Sequence, residues 1–291
     1  MSASALRERV RAGLPPLSWA LRKGQRGRVG VLGGSLEYSG APFFAAAAAL
    51  RCGADLAHVF CPAAAGAAIK AFSPDLIVHP VLPDSANDLR NQLEPVTRWL
   101  GALDVLVVGP GLGREEHSLA AAREIIGIAE ARNLALLIDG DGLWALRGHD
   151  ELLLSLSPNV ILTPNVGENA RLEEQLAGRP TAALVVRKGL ADIVGTLFGA
   201  DSANRLSPLA CDTPGAPRRC GGQGDVLAGA VAAFLALGKQ TGKAEPQVLA
   251  WAACDLVRQA AKDAFSRSFR GMLASDVLAA LPATMQHLYP V

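Results

Sequence analysis

The residues best suited to chemistry form the glycine-rich segment Cys220-Gly-Gly-Gln-Gly-Asp225, which precedes the apolar run 226–237. Adjacent glycines let backbone N–H groups converge at a helix start, where the helix dipole adds partial positive charge. Such a place suits phosphate, and a carboxylate beside it can act as a general base toward a substrate hydroxyl. An ordinary glycine turn, with Asp225 as an N-terminal helix residue, is the alternative interpretation.

Two further polar segments follow short apolar runs. In Arg187-Lys-Gly-Leu-Ala-Asp192, Lys188 can contact phosphate oxygens and Gly189 permits close backbone approach, although a surface turn would have the same composition. In Asn165-Val-Gly-Glu-Asn-Ala-Arg171, the spacing of Asn165 and Glu168 is that of a capping box, so the start of a helix explains it as well as a binding role does.

Other motifs are weaker evidence for a site. Gly109-Pro-Gly-Leu-Gly113 lacks the dinucleotide-binding pattern, and a plain strand-to-helix turn is the alternative. Asp139 and Asp141 are too few for a calcium loop, and we expect them to cap a helix or orient a substrate. His58 and His79 lie inside apolar runs without metal-binding spacing, so we expect them to be satisfied within a sheet. No metal site is predicted.

The elements that must position these residues alternate regularly. Short apolar runs end in Gly, Pro, Asn or Asp and lead into Ala/Leu-rich stretches, which is the pattern of β-α units around a parallel sheet. Every candidate motif follows such a run, at the edge where parallel sheets bind ligands. The predicted strands are 28–32, 57–61, 76–79, 104–108, 134–138, 160–162 and 184–186. Predicted helices are 41–52, 63–71, one ending near 132, 226–237 and 246–265, with 195–217 irregular.

Composition narrows the classes of function. Lys plus Arg (28) nearly equals Asp plus Glu (27), so no overall field favours nucleic acid or an anionic membrane. No apolar run reaches the roughly 18 residues that a membrane span needs. The five cysteines form no C-x-x-C pair, which argues against a secreted disulfide framework. We expect a cytoplasmic protein, with mitochondria as the alternative because Arg7, Arg9 and Arg11 lie near the start.

Arg218-Arg-Cys-Gly-Gly-Gln-Gly-Asp-Val-Leu-Ala-Gly229 resembles the nucleotide-site signature of the eukaryotic-type, ATP-dependent (S)-NAD(P)H-hydrate dehydratases, a branch of the ribokinase-like superfamily. Its Gly-Gln-Gly-Asp form is similar to the branch that uses ATP; the bacterial branch usually has Gly-Thr-Gly-Asp and uses ADP. Further blocks resemble the family in the same order, from about Lys23 to about Asp276: residues 23–42, 53–61 and 73–80, Val107-Val-Gly-Pro-Gly-Leu-Gly-Arg114 and Ile138-Asp-Gly-Asp-Gly-Leu-Trp144.

The resemblance implies a fold and a reaction. The fold is a ribokinase-like three-layer αβα sandwich with a central, mostly parallel sheet, in which residues 1–291 form a single domain and residues 1–24 an N-terminal extension. In the reaction, ATP with Mg2+ phosphorylates the ring hydroxyl of the S form of NADH or NADPH hydrate, and loss of phosphate restores the dihydronicotinamide. Implied partners are these small molecules and, functionally, an NAD(P)H-hydrate epimerase; nucleic acid and membrane are excluded, and homo-oligomerisation is left open.

The resemblance also implies roles for individual residues. Asp225 is the expected base, assisted by Gly222 and Gly224. Val166 and Asn169 replace a His and a Phe of the family pattern, so those two contacts are not carried over. The residues expected to contact the hydrate are Ala41, Gly113, Asn165, Glu168, Arg171 and Asp225. Those expected to bind ATP are Lys188, Gly189, Leu190, Ala191, Asp192, Arg219, Cys220, Gly221, Gly222, Gln223 and Gly224.

Two other functions stay open at this point. A kinase of the same superfamily, acting on a sugar or a vitamin alcohol, would share the fold and Asp225 but release a stable phosphorylated product. A nucleotide-binding protein without turnover would bind ATP and leave the hydrate unchanged.

Overall fold

A computed structural model describes residues 1–85, 87–197 and 207–290 of the chain. Its strands are β1 (Arg28–Leu32), β2 (Leu56–Pro62), β3 (Ile77–Leu82), β4 (Val105–Val108), β5 (Ala135–Ile138), β6 (Val160–Leu162), β7 (Leu184–Arg187), β8 (Asp192–Thr196) and β9 (Leu209–Cys211). They form one sheet in the order β3-β2-β1-β4-β5-β6-β7-β8-β9. Neighbouring strands from β3 across to β7 are parallel, and the pairs β7-β8 and β8-β9 are antiparallel.

The helices lie between and after the strands. They are α1 (Ala3–Gly13), α2 (Gly40–Arg51), α3 (Ala63–Phe72), α4 (Leu89–Gln92), α5 (Glu94–Leu100), α6 (Glu116–Ala131), α7 (Asp141–Ala145), α8 (Asp150–Ser155), α9 (Val166–Leu176), α10 (Gln223–Thr241), α11 (Pro246–Ser268) and α12 (Ala274–Leu288). Among the described residues, no helix combines the length and apolar character that a membrane span requires.

The central strands are apolar on both faces because helices cover both sides of the sheet. In β4, Val105 and Val107 belong to a core shared with α2, α10 and α11, whereas Leu106 and Val108 belong to a second core shared with α5 and α6. Successive side chains of a strand point to opposite faces, so one strand serves both cores. The predicted α/β architecture, with three layers and a mostly parallel sheet, is confirmed.

The chain reverses its direction of progress across the sheet between β1 and β4. It runs outward from β1 through β2 to β3, and then returns to add β4 on the other side of β1. Ligand clefts of open α/β sheets lie at such a switch point, beyond the carboxyl ends of the strands. The two loops there touch: Gly34 donates to the Pro110 carbonyl at 2.9 Å, and a side chain at Gly33 would overlap that oxygen.

The sequence-based boundaries are mostly correct for the main elements, but the short helices α4, α5, α7 and α8 were not predicted, and further errors lie at the sheet edge and the chain ends. Strands β1 and β6 have the predicted limits. The expectation that residues 195–217 are irregular is wrong for the end of β8 and for β9, while residues 198–206 lie outside the described residues. Helices α1 and α12 were not predicted. Helix α10 begins at Gln223, three residues before the predicted start, which places Asp225 in its first turn.

Residues near the N-terminus dock onto the main body through an ion pair. Arg7 of α1 donates to both carboxylate oxygens of Asp255, at 2.7 and 2.8 Å, and Asp255 is fully buried in α11. Leu6 and Val10 on the same helix are also buried in the first core. A buried carboxylate without its partner is costly, so Arg7 holds α1 in place as well as neutralising Asp255.

The two sheet histidines satisfy each other, as expected. His58 Nδ1 lies 3.0 Å from His79 Nε2, and both rings pack against Trp99. Burial lowers the pKa of His58 to about 4, with the neighbouring His79 acting in the same direction, so both rings are neutral at neutral pH. All five cysteines are free thiols, and four of them are buried.

The contact between α10 and α2 depends on a missing side chain. A Cβ at Gly229 would overlap the Ala45 carbonyl oxygen and lie 2.9 Å from Ala48 Cβ, so the two helices approach closely only with glycine there. We predict that Gly229→Ala lowers the free energy of unfolding by about 1–3 kcal/mol, the usual cost of overpacking. Urea denaturation at constant pH measures the change.

The matched control is Gly127→Ala in α6. A Cβ at Gly127 meets nothing within 4 Å, so this change should stabilise the helix by about 0.5–1 kcal/mol. Equal stability of the Gly229→Ala variant and the unsubstituted protein would show that α10 and α2 are not packed as described.

Candidate active site

The start of α10 presents backbone donors to the cleft. Gly222 precedes the helix with φ of 93°, and a Cβ there would lie 2.8 Å from Ala274 Cβ and 3.1 Å from the Phe44 ring. Glycine is therefore required twice, for the left-handed backbone and for space. The N-cap residue Gly222 offers no side-chain cap, and among the described residues the N–H groups of Gly224 and Asp225 have no backbone acceptor, so they can bind an anion.

A buried ion pair lies against this helix start. Lys188, directly after β7, donates from Nζ to Asp139 Oδ1 at 2.7 Å, and Thr163 Oγ1 donates to the same oxygen at 2.8 Å. Asp139 is only 3% exposed. A Cβ at Gly224 would lie 3.5 Å from Lys188 Nζ and 3.9 Å from Asp139 Oδ2. The ion pair thus lies in van der Waals range of the first turn of α10, beside the residue before Asp225.

Asp225 has the electrostatic environment of a general base. Burial and, to a smaller extent, the negative charge of Asp139 raise the pKa of its carboxyl to about 8, although Lys188 acts in the opposite direction. A pKa near neutrality gives a carboxylate more proton affinity than an exposed Asp while leaving a substantial ionised fraction. Perturbed carboxyls in a cleft are characteristic of functional sites, and this one lies at the predicted anion-binding helix start.

Lys188 is held as a cation by several carboxylates. Burial alone would lower the pKa of its ammonium group, but the charges of Asp139, Glu168 and Asp225 and the hydrogen bond to Asp139 together outweigh burial, so the pKa is raised. The predicted hydrate residue Glu168, the predicted ATP residue Lys188 and the predicted base Asp225 therefore belong to one electrostatic centre. A protonated lysine there can neutralise phosphate oxygens.

The two predicted ATP segments meet beside this centre. Arg219 donates to the Gly189 carbonyl at 3.3 Å, which joins the loop after β7 to the loop before α10. Gly189 N–H donates to Asp192 Oδ1 at 3.0 Å, and Gln223 Oε1 accepts from the Cys220 N–H at 3.1 Å. The other predicted ATP residues lie in the same two loops: Leu190, Ala191 and Gly221. The side chain of Leu190 is 90% exposed.

The predicted hydrate residues at the switch point also lie close together. Gly113, with φ of 80°, donates to Asp141 Oδ2 at 3.0 Å and lies beside Ser35, whose Cβ is 3.4 Å from the position of a Cβ at Gly113. Ala41 lies near the start of α2, and its Cβ is 2.9 Å from the place that a Cβ at Gly111 would occupy. Both residues therefore border the crevice between β1 and β4.

Asn165 and Glu168 form the capping box expected from their spacing. Asn165 Oδ1 accepts from the Glu168 N–H at 3.0 Å, and Glu168 Oε2 accepts from the Asn165 N–H at 2.8 Å. The structural interpretation of this motif is confirmed, while a binding role stays a prediction. Arg171, one turn further along α9, lines a small pocket with Glu168 and Asp141.

Thr163 and Arg258 were not predicted as neighbours of the site, and Asp139 was given only a general role. Asp139 was expected to cap a helix or orient substrate, whereas its carboxylate pairs with Lys188. Thr163 supports Asp139 and follows β6 directly, a position that could have suggested it. Arg258 of α11 donates to Asp192 Oδ2 at 3.0 Å and to the Leu190 carbonyl, fixing the loop after β7. Arg258 is far from this loop in the sequence, so no local motif could have predicted the contact.

Two carboxylates of the site, those of Asp139 and Asp141, are already engaged by protein donors. Asp141 accepts from Gly113 and lies 3.4 Å from Arg114 Nε, and Asp139 is paired with Lys188. In the described ranges, no three His, Cys, Asp or Glu residues cluster as a metal cage. The arrangement offers amides, an ammonium group and a buried carboxylate, which together suit transfer of a phosphoryl group to a hydroxyl.

Comparisons with known proteins agree with this geometry. The profile of the NAD(P)H-hydrate dehydratase family matches residues 29–283. ATP-dependent (S)-NAD(P)H-hydrate dehydratases are similar to the chain: that of Homo sapiens is 41% identical (96% of this chain, 83% of the relative) and that of Drosophila melanogaster 42% identical (94% and 90%).

Solved structures share the fold at low identity. A ribokinase-like superfamily protein from Enterococcus faecalis superimposes with a TM-score of 0.77 at 21% identity, covering 98% of this chain and 95% of that one. The ADP/ATP-dependent NAD(P)H-hydrate dehydratase of Bacillus subtilis, co-crystallised with ATP/Mg2+, gives 0.69 at 19% identity, with 97% of each chain covered. The sandwich is thus ribokinase-like, and by its sequence the chain belongs to the NAD(P)H-hydrate dehydratase family.

Proposed function

We propose that the chain catalyses ATP-dependent dehydration of the S form of NADH hydrate and NADPH hydrate, restoring NADH and NADPH. The observation that carries the proposal is the partly buried carboxylate of Asp225, with its raised pKa, in the first turn of α10 directly after the glycine-rich loop and beside Lys188. Relatives about 40% identical over most of the chain bear the name of this activity. The enzyme is a hydro-lyase that repairs damaged nicotinamide nucleotides.

The chemistry follows from the poor leaving ability of hydroxide. Asp225 takes the proton of the ring hydroxyl, whose oxygen attacks the γ-phosphorus of ATP while the bond to the β-phosphate oxygen breaks and ADP leaves. The ring then carries a phosphate ester. Breaking its carbon–oxygen bond, with loss of a proton from the neighbouring ring carbon, releases phosphate and restores the dihydronicotinamide double bond.

Charge on the transferring phosphoryl group has two sources of stabilisation in this proposal. The amides of Gly222, Gly224 and their neighbours point from the helix start, and the Lys188 ammonium group lies beside them. Mg2+ would accompany ATP and would be held mainly by the phosphates and water, as is usual for this ion. Its contribution is neutralisation of phosphate charge.

The proposed sites divide around Asp225. The hydrate lies toward Ala41, Gly113, Asn165, Glu168 and Arg171, and ATP toward the loops 188–192 and 219–224. We further propose that residues 1–291 act as one domain with 1–24 as an extension, that the enzyme works in the cytoplasm, and that an epimerase supplying the S form is its functional partner.

The direct test of the proposal is recovery of dihydronicotinamide absorbance from hydrated NADH with ATP, ADP or neither. We expect recovery with ATP, and much less with ADP because the Gly-Gln-Gly-Asp motif resembles the ATP-using branch. A stable phosphorylated product without NADH would favour the small-molecule kinase. ATP binding with no change in the hydrate would favour a non-catalytic nucleotide-binding protein, and either result would overturn the dehydratase proposal.

Replacing the proposed base should separate binding from chemistry. In Asp225→Ala we expect turnover to fall by roughly 100-fold or more, because a positioned base is lost, while ATP binding changes little. The control is Asp75→Ala, which removes an exposed carboxylate near the start of β3. Stopped assays of NADH formation and equilibrium binding of ATP measure the two effects. Turnover of Asp225→Ala within a few-fold of the unsubstituted enzyme would refute its role as the base.

The pH profile should report ionisation of the same group. A general base works only when deprotonated, so a folded-state pKa of about 8 means that kcat/KM rises with pH and levels off above that value. Measurement of kcat/KM for the hydrate from acidic to alkaline pH gives the apparent pKa. A profile already flat at pH 6 would contradict the raised pKa of Asp225.

A further inference from the structure

A small pocket extends from the proposed hydrate residues Glu168 and Arg171 to Arg114, Trp144 and Arg147, which have no assigned role in binding. Its volume is about 70 Å³, far below the roughly 300 Å³ or more of a site that holds a whole drug-sized ligand. It therefore fits one chemical group rather than a nucleotide. The residues that define this arginine pocket are Arg114, Asp141, Trp144, Arg147, Glu168 and Arg171.

Trp144 of α7 orients two of the three arginines. The guanidinium carbons of Arg114 and Arg147 each lie 4.0 Å from the centroid of its ring system. Such cation–π contacts hold the planar guanidinium groups in place while leaving their N–H donors free at the edges. Less side-chain entropy is then lost when the donors bind a ligand, which favours recognition of an anion.

The charges of the pocket are not balanced internally. Its two carboxylates already accept backbone N–H groups, Asp141 from Gly113 and Glu168 from Asn165. Arg114 has a long contact of 3.4 Å with Asp141. In the parts of the chain that the structure describes, neither Arg147 nor Arg171 makes an ion pair. Three cations thus face two carboxylates, although the chain as a whole carries a formal charge of only +1.

The pocket is close enough to the reactive centre to contact the same substrate. Asp141 lines it, and Asp139, two residues earlier, pairs with Lys188 at the centre. Two peptide units span at most about 7.6 Å between Cα atoms. Glu168 connects the two places as well, because it lines the pocket and contributes to the raised pKa of Lys188. A dinucleotide with its nicotinamide ring at Asp225 would extend beyond this distance.

We infer that the arginine pocket binds a phosphate group of the dinucleotide hydrate, with Arg147 as a phosphate-binding residue held by Trp144. This inference rests on the proposed function. The planar guanidinium group of arginine can donate two hydrogen bonds to the oxygens of a phosphate, and a pocket of this size admits one phosphate group. The group is either the 2′-phosphate, which only the NADPH hydrate carries, or part of the pyrophosphate, which both hydrates share.

The test is Arg147→Gln, assayed with saturating ATP and each hydrate separately. We expect KM for the NADPH hydrate to rise by about ten-fold, as for loss of a charged hydrogen bond, with kcat within about two-fold. An unchanged KM for the NADH hydrate would identify the 2′-phosphate as the bound group. An equal rise for both hydrates would identify the pyrophosphate, and either pattern supports phosphate binding.

Two outcomes would overturn the inference. One is an unchanged KM for both hydrates, and the other is a rise in KM for ATP instead. Arg147→Lys retains a cation and should recover part of the loss, and an unaltered melting temperature would exclude a folding defect as the cause. Arg90→Gln is the matched control, since Arg90 is exposed and pairs with Glu124 on α6, away from the pocket.

Failure of the proposed function would give a different result. If the unsubstituted enzyme restores neither NADH nor NADPH, the dehydratase proposal itself fails, whatever Arg147→Gln does. If the unsubstituted enzyme is active and Arg147→Gln has unaltered kinetics, only the arginine pocket loses its role. Equilibrium binding of NADP+ and NAD+ to both proteins gives a readout independent of turnover: weaker binding of NADP+ alone, or of both, should accompany the corresponding change in KM.

Discussion

The ion pair between Lys188 and Asp139 is the interaction on which the proposed centre depends. It connects the ends of β7 and β5, which are separated in the sheet by β6, and Thr163 at the end of β6 completes it. A buried carboxylate and a buried ammonium group tolerate each other only when paired. The pair also acts on Asp225: burial is the main cause of the raised pKa of that carboxyl, Asp139 adds to the rise and Lys188 opposes it.

The fold brings the other groups of the site to this ion pair. The parallel sheet delivers several strand ends to one edge, and α10 brings its unpaired amides to the same place. Both depend on close approach of α10 to its neighbours: Gly222 fits its start between Ala274 and Phe44, and Gly229 lets the helix lie against α2. A side chain at either position would push the helix away. Core packing and catalytic geometry are thus linked through one helix.

Much of this arrangement could be predicted from the sequence because its determinants are local. The apolar runs identified β1 through β7, and the glycine-rich loops after them identified the functional edge. Contacts between residues distant in the chain could not be read in this way. Arg258 reaches the loop after β7 from α11, and Asp139 meets Lys188 across three strands. Strands β8 and β9 are short strands at the edge of the sheet that pair antiparallel. They do not follow the β-α pattern, so that pattern did not predict them.

The central claim is that Asp225, Lys188 and the start of α10 transfer a phosphoryl group to the ring hydroxyl of the hydrate before the ring loses that oxygen. The most direct measurement uses a hydrate whose ring hydroxyl carries a heavy oxygen isotope. If the oxygen attacks ATP and leaves as phosphate, mass spectrometry will find the label in the released inorganic phosphate. Label in water, with unlabelled phosphate, would mean that the hydroxyl leaves without phosphorylation and would contradict the account.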